Sequence, residues 1–289
     1  MNNTFKLVTD SSCDLPLDYL AENDIGSVEL LYTIGGKEYA AYDAAMPIGT
    51  LYQRMRDGEM PQTAQVNVES MRSFFENILT QGLDVLYLGF SSGLSGTCQS
   101  GQIAAKELAA EYPQRKIIVV DTLCASLGQG LLVHLANQKK QQGMSIEEVA
   151  QWAEDTKLHL VHVFTVDDLM HLHRGGRVSK ASAIMGSMLG IKPILHVDNA
   201  GRLIPIHKVR GRRQSLNYLV EYAAANMGQW HNEVFFISHG DCLEEAQYVA
   251  KVMEEKTGIK PGIIDYVGSV IGTHSGPGTM ALFILGNQR

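Results

Sequence analysis

The sequence predicts an α/β fold divided into two domains, and three observations carry that prediction. The chain has 289 residues, close to twice the roughly 150 that a single domain averages. Its first half alternates apolar strand runs with helically spaced segments, the rhythm of a parallel sheet covered by helices. Near residues 158–162 that rhythm gives way to hairpins and longer helices, so the two domains are read as 1–160 and 161–289. No repeat, low-complexity tract or disordered linker separates them, which predicts direct packing and a cleft between the halves.

FKLVTD (5–10) opens the first half as a strand, and Asp14 followed by Pro16 predicts a capped helix in DLPLDYLAEND. Residues 27–43 place β-rich arms around Gly35 and Gly36, which predicts a β-hairpin inserted over 28–45. Helical spacing returns in IGTLYQRMR and VESMRSFFENILTQG. DVLYLGF (84–90) and KIIVVDT (116–122) read as buried parallel strands separated by the helix QSGQIAAKELAAEYP. Two helices, 125–142 and 145–157, meet at Gly143, and Ser145 with Glu148 makes a capping-box pattern. In the second half LVHVFTV is a strand, DDLMHLHRGG a short helix stopped by glycines and SKASAIMGSMLG a further helix. KPILHVDNAGRLIPIHKV is a hairpin turning at 199–201. RRQSLNYLVEYAAANM and CLEEAQYVAKVMEEKTG are amphipathic helices around the strand VFFISHG, and PGIIDYV and GTMALFILG close the domain as strands.

With 45% hydrophobic and 19% charged residues, the chain is too apolar for disorder and able to bury a core. No run reaches the roughly 20 apolar residues of a membrane helix, and the opening MNNTFKLVTD lacks a basic-then-apolar leader. A cytoplasmic protein without an integral membrane segment is therefore expected. Cys13, Cys98, Cys124 and Cys242 form no CxxC pair, so free thiols are expected. The net charge of −7 argues against a protein that coats nucleic acid. Between Leu169 and Arg213, however, nine basic residues face the single acid Asp198, a local +8 that leaves the rest of the chain at −15. That concentration predicts a basic face for an anionic ligand or an acidic partner, unless it is simply solvated.

FSSGLSGT (90–97) leaves an apolar strand and enters a helix, the corner at which open α/β sheets place ligands. Gly93 and Gly96 let the backbone approach a ligand, while Ser95 and its neighbours offer hydroxyl donors without charge. GFSSG also matches the GxSxG nucleophile elbow, and a serine-dependent lipid hydrolase using 89–96 is one alternative. Against it, Leu94-Ser95-Gly96 prolong the loop, whereas the elbow needs its helix to begin almost at the serine. Thr63 in QTAQVN (62–67) places a hydroxyl in a second polar loop, and His274 in GSVIGTHSGPGTM (268–280) can bond a carboxylate or pass a proton. Each of these, taken alone, equally fits a turn or a structural histidine. The pairs His159/His162 and His171/His173 share no convincing ligand face, and neither a phosphate loop nor a complete dinucleotide fingerprint occurs. No metal and no cofactor is expected. Arg174 and Arg177 flank a glycine pair that can hold them exposed. Ile184, Met185, Met188 and Leu189 recur at helical spacing and suit either a core or the wall of a long, variable ligand. An anion-binding regulatory protein built on the basic 169–213 stretch is the second alternative.

VTDSSCDLP, QTAQVN, FSSGLSGT, HRGGRVS, GIKPIL and GTHSGPG occur in the order and approximate spacing of the DegV family of bacterial fatty-acid-binding proteins. The sequence resembles that family over nearly its whole length. The resemblance implies a Rossmann-like N-terminal domain and an α/β C-terminal domain that enclose one long-chain fatty acid. It also implies a lipid-binding partner rather than an enzyme, with a separate ATP-dependent fatty acid kinase phosphorylating the carboxylate to an acyl phosphate. Carboxylate contacts are implied for Thr63 and Ser95 with His274 nearby, and kinase docking for Arg174 and Arg177. Cys98 stands where the family often has an aromatic, and Gln62-Thr63-Ala64 replaces a more hydroxyl-rich triplet. A buried carboxylate needs donors, and Thr63, Ser95 and loop amides are expected to supply them as an uncharged set.

Overall fold

The computed structural model describes residues 5–178, 190–287 and 289. Strands β1 (Phe5–Asp10), β2 (Gly26–Val28), β6 (Asp84–Gly89) and β7 (Ile117–Asp121) form a parallel sheet in the order β2-β1-β6-β7. Its strands are apolar on both faces because helices cover both. Val8, Val85 and Tyr87 pack on α3 (Val68–Leu79) and α4 (Thr97–Glu111). Leu7, Leu86 and Leu88 pack on α5 (Ser126–Gln141) and α6 (Ile146–Thr156). The buried residues of α3, Met71, Phe75, Ile78 and Leu79, keep the spacing of a single helix face. At α6 the Ser145 and Glu148 capping box is formed in both directions.

The second sheet runs β10-β9-β8-β13-β11-β12 through β8 (Leu160–Thr165), β9 (Ile191–Val197), β10 (Leu203–Arg210), β11 (Val234–His239), β12 (Lys260–Tyr266) and β13 (Met280–Leu285). Only the β11–β12 pair is parallel. One face is closed by α8 (Arg212–Asn226) and α9 (Leu243–Thr257), with Leu216, Leu219 and Val220 against Val161, Val163 and Ile237. The other face turns Phe164, Phe236, Ala281 and Phe283 toward Leu127 and Leu131 of α5. α5 therefore lies between the two sheets, and residues 126–133 are buried without a break.

The inserted hairpin is β3 (Leu31–Ile34) and β4 (Lys37–Ala40), joined by Gly35 and Gly36 at φ 59° and 75°, the double positive φ that a tight two-residue turn requires. A third strand, β5 (Gln62–Ala64), pairs with β3. The sequence reads this segment as a loop, because Gln-Thr-Ala carries no strand pattern and its partner lies far back in the chain. α10 (Ser269–Ser275), from the second half, packs on this small sheet, on α2 (Ile48–Arg56) and on α7 (Leu169–Arg174). Tyr52 donates to the Val267 carbonyl at 2.7 Å and Ser269 to the Ala41 carbonyl at 2.9 Å, fastening the halves together. Residues 179–189 of the helix expected over 179–190, with Ile184, Met185, Met188 and Leu189 among them, lie outside the described residues.

Asp14 departs from its expected role. Helix α1 (Leu17–Glu22) starts behind Pro16 with no side-chain cap, and Asp14 instead adopts φ 54° at the end of a short 3-10 turn over 11–13. Its buried carboxyl accepts the Ser126 hydroxyl at 2.5 Å. Burial pushes Asp14 up to about 8; Asp265 and Asp10 add to the rise, while the Ser126 hydroxyl and the Gly268 amide oppose it.

Two outcomes are expected. The folded state keeps a proton on Asp14 that the unfolded chain has already released, so stability should fall as pH rises between the two values. The slope should approach about 1.4 kcal/mol per pH unit, and urea titrations across about pH 5–8 should show it flattened in Asp14→Asn. A Cβ at Gly93 would lie 2.5 Å from the Ala200 carbonyl oxygen, whereas one at Gly96 meets only the movable end of Gln65. Gly93→Ala should therefore cost about 1–3 kcal/mol and Gly96→Ala less, read from their denaturation midpoints.

Candidate functional site

The carboxyl-end edge of the parallel sheet, the loop 90–96, β5, α10 and the inner face of the second sheet enclose a pocket of about 330 Å³. That volume falls within the roughly 300–1,000 Å³ of small-molecule sites. Much of the wall is apolar, with Phe90, Phe164, Phe283, Val197, Leu203 and Val270 among its side chains. Pairing places Phe164 beside Ala281 and Phe283 beside His162 on one sheet face, so alternate positions of β8 and β13 build one wall.

Polar groups gather where β5, the loop and α10 meet. Thr63 Oγ1 lies 2.8 Å from His274 Nε2, joining residues 211 positions apart. Burial, and then the neighbouring charge of Arg177, push His274 down to about 4, so its ring is neutral near pH 7. Ser95 Oγ accepts the Thr97 N–H at 3.2 Å and sits 3.0 Å from Thr97 Oγ1. A hydrogen bond donated by Thr97 leaves the Ser95 hydroxyl proton free for a ligand. Arg177 donates through Nε to the Leu94 carbonyl at 3.3 Å and through Nη1 to the Gly175 carbonyl. Its Nη2 carries none of the described hydrogen bonds, and no carboxylate is paired with it among the described residues. A carboxylate or phosphate here would meet hydroxyls, a neutral imidazole and one guanidinium.

Thr63, Ser95 and His274 are thus brought to one pocket, as the sequence reading grouped them, but the donor set is not uncharged. Arg177 is half-buried in the wall, while Arg174 is exposed and borders an adjoining, more polar cavity that also contains Thr63, Arg177 and His274. The two arginines of the glycine-flanked pair are therefore not equivalent. Gly93 supports the loop by letting it approach 200–201, and Gly96 lies against Gln65, a pocket residue that the sequence reading did not single out. An isolated glutamine offers no pattern by which to find it. Ser275, also missed, lines the pocket with its hydroxyl unpaired.

The basic stretch is partly neutralised within the fold. Lys192 pairs with Asp167, Arg212 with Glu245 and Asp167, and the Arg213 guanidinium lies 3.1 Å from the centroid of the Tyr248 ring. Acids from outside the segment thus pair with Lys192 and Arg212. Ser91 of the elbow-like motif is buried and donates to the Gly201 carbonyl at 2.8 Å, and helix α4 begins only at Thr97. That geometry withholds a nucleophile from the pocket at Ser91. All four cysteines are free, and no cluster of three or more metal-ligating side chains occurs among the described residues. No helix among them is long and apolar enough to cross a membrane.

The family profile described as "Uncharacterised protein, DegV family" matches residues 4–287. A DegV domain-containing protein of Clostridium perfringens is 43% identical over 286 residues, covering 99% of this chain and 98% of its own length. The crystal structure of a DegV lipid binding protein from Thermotoga maritima is similar at 29% identity and a TM-score of 0.86, over 99% of both chains. A DegV family protein from Thermus thermophilus, whose structure was described for its fatty acid binding, is similar at 27% identity and a TM-score of 0.87, over 98% of this chain and 99% of its own. With a profile spanning 4–287 and a relative 43% identical along nearly its full length, this chain belongs to the DegV family.

Proposed function

We propose that this protein binds one long-chain fatty acid between its 1–160 and 161–289 domains and presents the carboxylate to a separate ATP-dependent fatty acid kinase, without catalysing the transfer itself. The observation that carries the reading is the pairing, in one pocket, of a largely apolar wall with a cluster of Thr63, Ser95, His274 and Arg177. Fatty acid binding by the similar Thermus thermophilus protein supports it. Burying methylenes contributes about 0.8 kcal/mol each, so a long chain supplies most of the affinity before ordering costs are subtracted. The head-group cluster has the complementary task of replacing the water lost by the carboxylate. Neutral donors hold that charge without a tight ion pair, and Arg177 adds one cation whose own bonds go to carbonyls. Arg174, on the rim of the adjoining cavity, is the arginine available to a docking kinase.

The direct test is a mass spectrum of small molecules released on denaturation, followed by melting of the delipidated protein with and without fatty acid. One fatty acid per chain and a melting temperature restored by its addition are expected, since a ligand that binds only the folded state stabilises it. A delipidated protein indifferent to long-chain fatty acids would overturn the reading. Thr63→Ala and Ser95→Ala should each weaken head-group binding by about 1–3 kcal/mol, measured by displacement of a labelled fatty acid, and Arg177→Met should weaken it further. Arg174→Glu should leave the lipid bound and slow acyl phosphate formation by a fatty acid kinase. Unchanged phosphorylation by that variant would remove Arg174 from the docking surface.

A further inference from the structure

The pocket has a second polar station that the carboxylate does not use. Ser126, at the start of α5, and Ser238, on β11, both line it, and their hydroxyl oxygens are 2.8 Å apart. Behind them the Asp14 carboxyl bonds Ser126, so the three form a line from Asp14 to Ser238. All three are buried, and the neighbouring wall residues Phe164 and Ala281 are apolar. A wall that met only methylenes would gain nothing from desolvating two hydroxyls there.

α10 shows how this station is placed. Gly268, just before the helix, lies against Asp14, whereas His274, near its other end, bonds Thr63. Val267, Val270, Ile271 and His274 all line the pocket, so the helix runs along it with one polar group at each end. The six residue steps from Gly268 to His274 rise by about 9 Å. The second station therefore faces an acyl chain several carbons beyond the head group.

The direction of its hydrogen bonds follows from Asp14, whose carboxyl accepts the Ser126 proton. With its one proton given to Asp14, Ser126 accepts from Ser238, and Ser238 presents its oxygen lone pairs to the pocket. His162 adds a second polar atom to the same wall. Its Nδ1 lies 2.9 Å from the Leu160 carbonyl, which can only accept, so Nδ1 carries the proton and Nε2 is a bare acceptor. That acceptor is approached only at 3.4 Å by the Ala125 N–H.

Building on the fatty-acid reading, we propose that Ser238 is a specificity-determining residue that recognises an oxygen substituent partway along the acyl chain, which makes hydroxylated fatty acids the preferred ligand class. The substituent hydroxyl donates to Ser238 Oγ, while an unsubstituted chain leaves that acceptor without a donor.

The experiment compares stearate with its hydroxylated positional isomers on the delipidated protein, by displacement of a labelled fatty acid. In the wild type at least one mid-chain isomer should bind about tenfold more tightly than stearate, the ratio expected for one well-made hydrogen bond. Ser238→Ala should abolish that preference while leaving stearate affinity within about twofold. If every isomer binds the wild type no better than stearate, the inference is overturned even though the fatty-acid reading stands. A preference that survives in Ser238→Ala overturns the assignment to Ser238. Should neither stearate nor its isomers bind, the parent reading has failed and this inference falls with it.

Discussion

The Asp10 carboxylate is the interaction on which the site depends. It ends β1 fully buried and accepts three hydrogen bonds, from the Ser12 and Phe90 amides and the Tyr87 hydroxyl. Burial pushes the carboxyl up, whereas those donors hold it down by stabilising the charged form. One side chain thereby joins the end of the first strand, the turn after it and the first residue of the loop 90–96. Removing it would leave the two amides without an acceptor in a water-free interior, which is costly.

From that anchor the constraint passes outward. The loop held at Phe90 places Ser91 against the Gly201 carbonyl and Gly93 against 200–201, so the hairpin of the second sheet is seated on it. Arg289 completes the seam by donating to the carbonyls of Leu123, Asp198 and Lys157. Arg177 reaches back to the Leu94 carbonyl. The pocket is therefore bounded by backbone that is held by buried polar contacts, and its geometry does not depend on surface ion pairs, which contribute little.

Charge is arranged with the same economy. Lys192 and Arg212 are neutralised within the fold by Asp167 and Glu245, but Arg177 is left to carbonyl oxygens. A guanidinium that keeps its charge yet has no carboxylate partner favours an anion brought by a ligand. His274 beside it remains neutral, so the polar cluster of the pocket carries one positive charge near pH 7.

The alternation of strands and helices, the Gly35-Gly36 turn, the Ser145 capping box and the loop after β6 were legible in the sequence, because each rests on residues within one element. So was the grouping of Thr63, Ser95 and His274, although through motifs matched together and not through any one of them. The tertiary structure alone decided that Gln62–Ala64 is a strand, that Asp14 is buried against Ser126 instead of capping a helix, and that Arg177 faces the pocket while Arg174 faces solvent. It also decided that Lys192 and Arg212 of the basic stretch are ion-paired, since their acids lie at 167 and 245, outside it. The physical reason is common to all four. Local pattern specifies which backbone shape a segment prefers, but the partner that satisfies a strand edge, a buried carboxyl or a guanidinium comes from elsewhere in the chain and exists only once the sheets have packed.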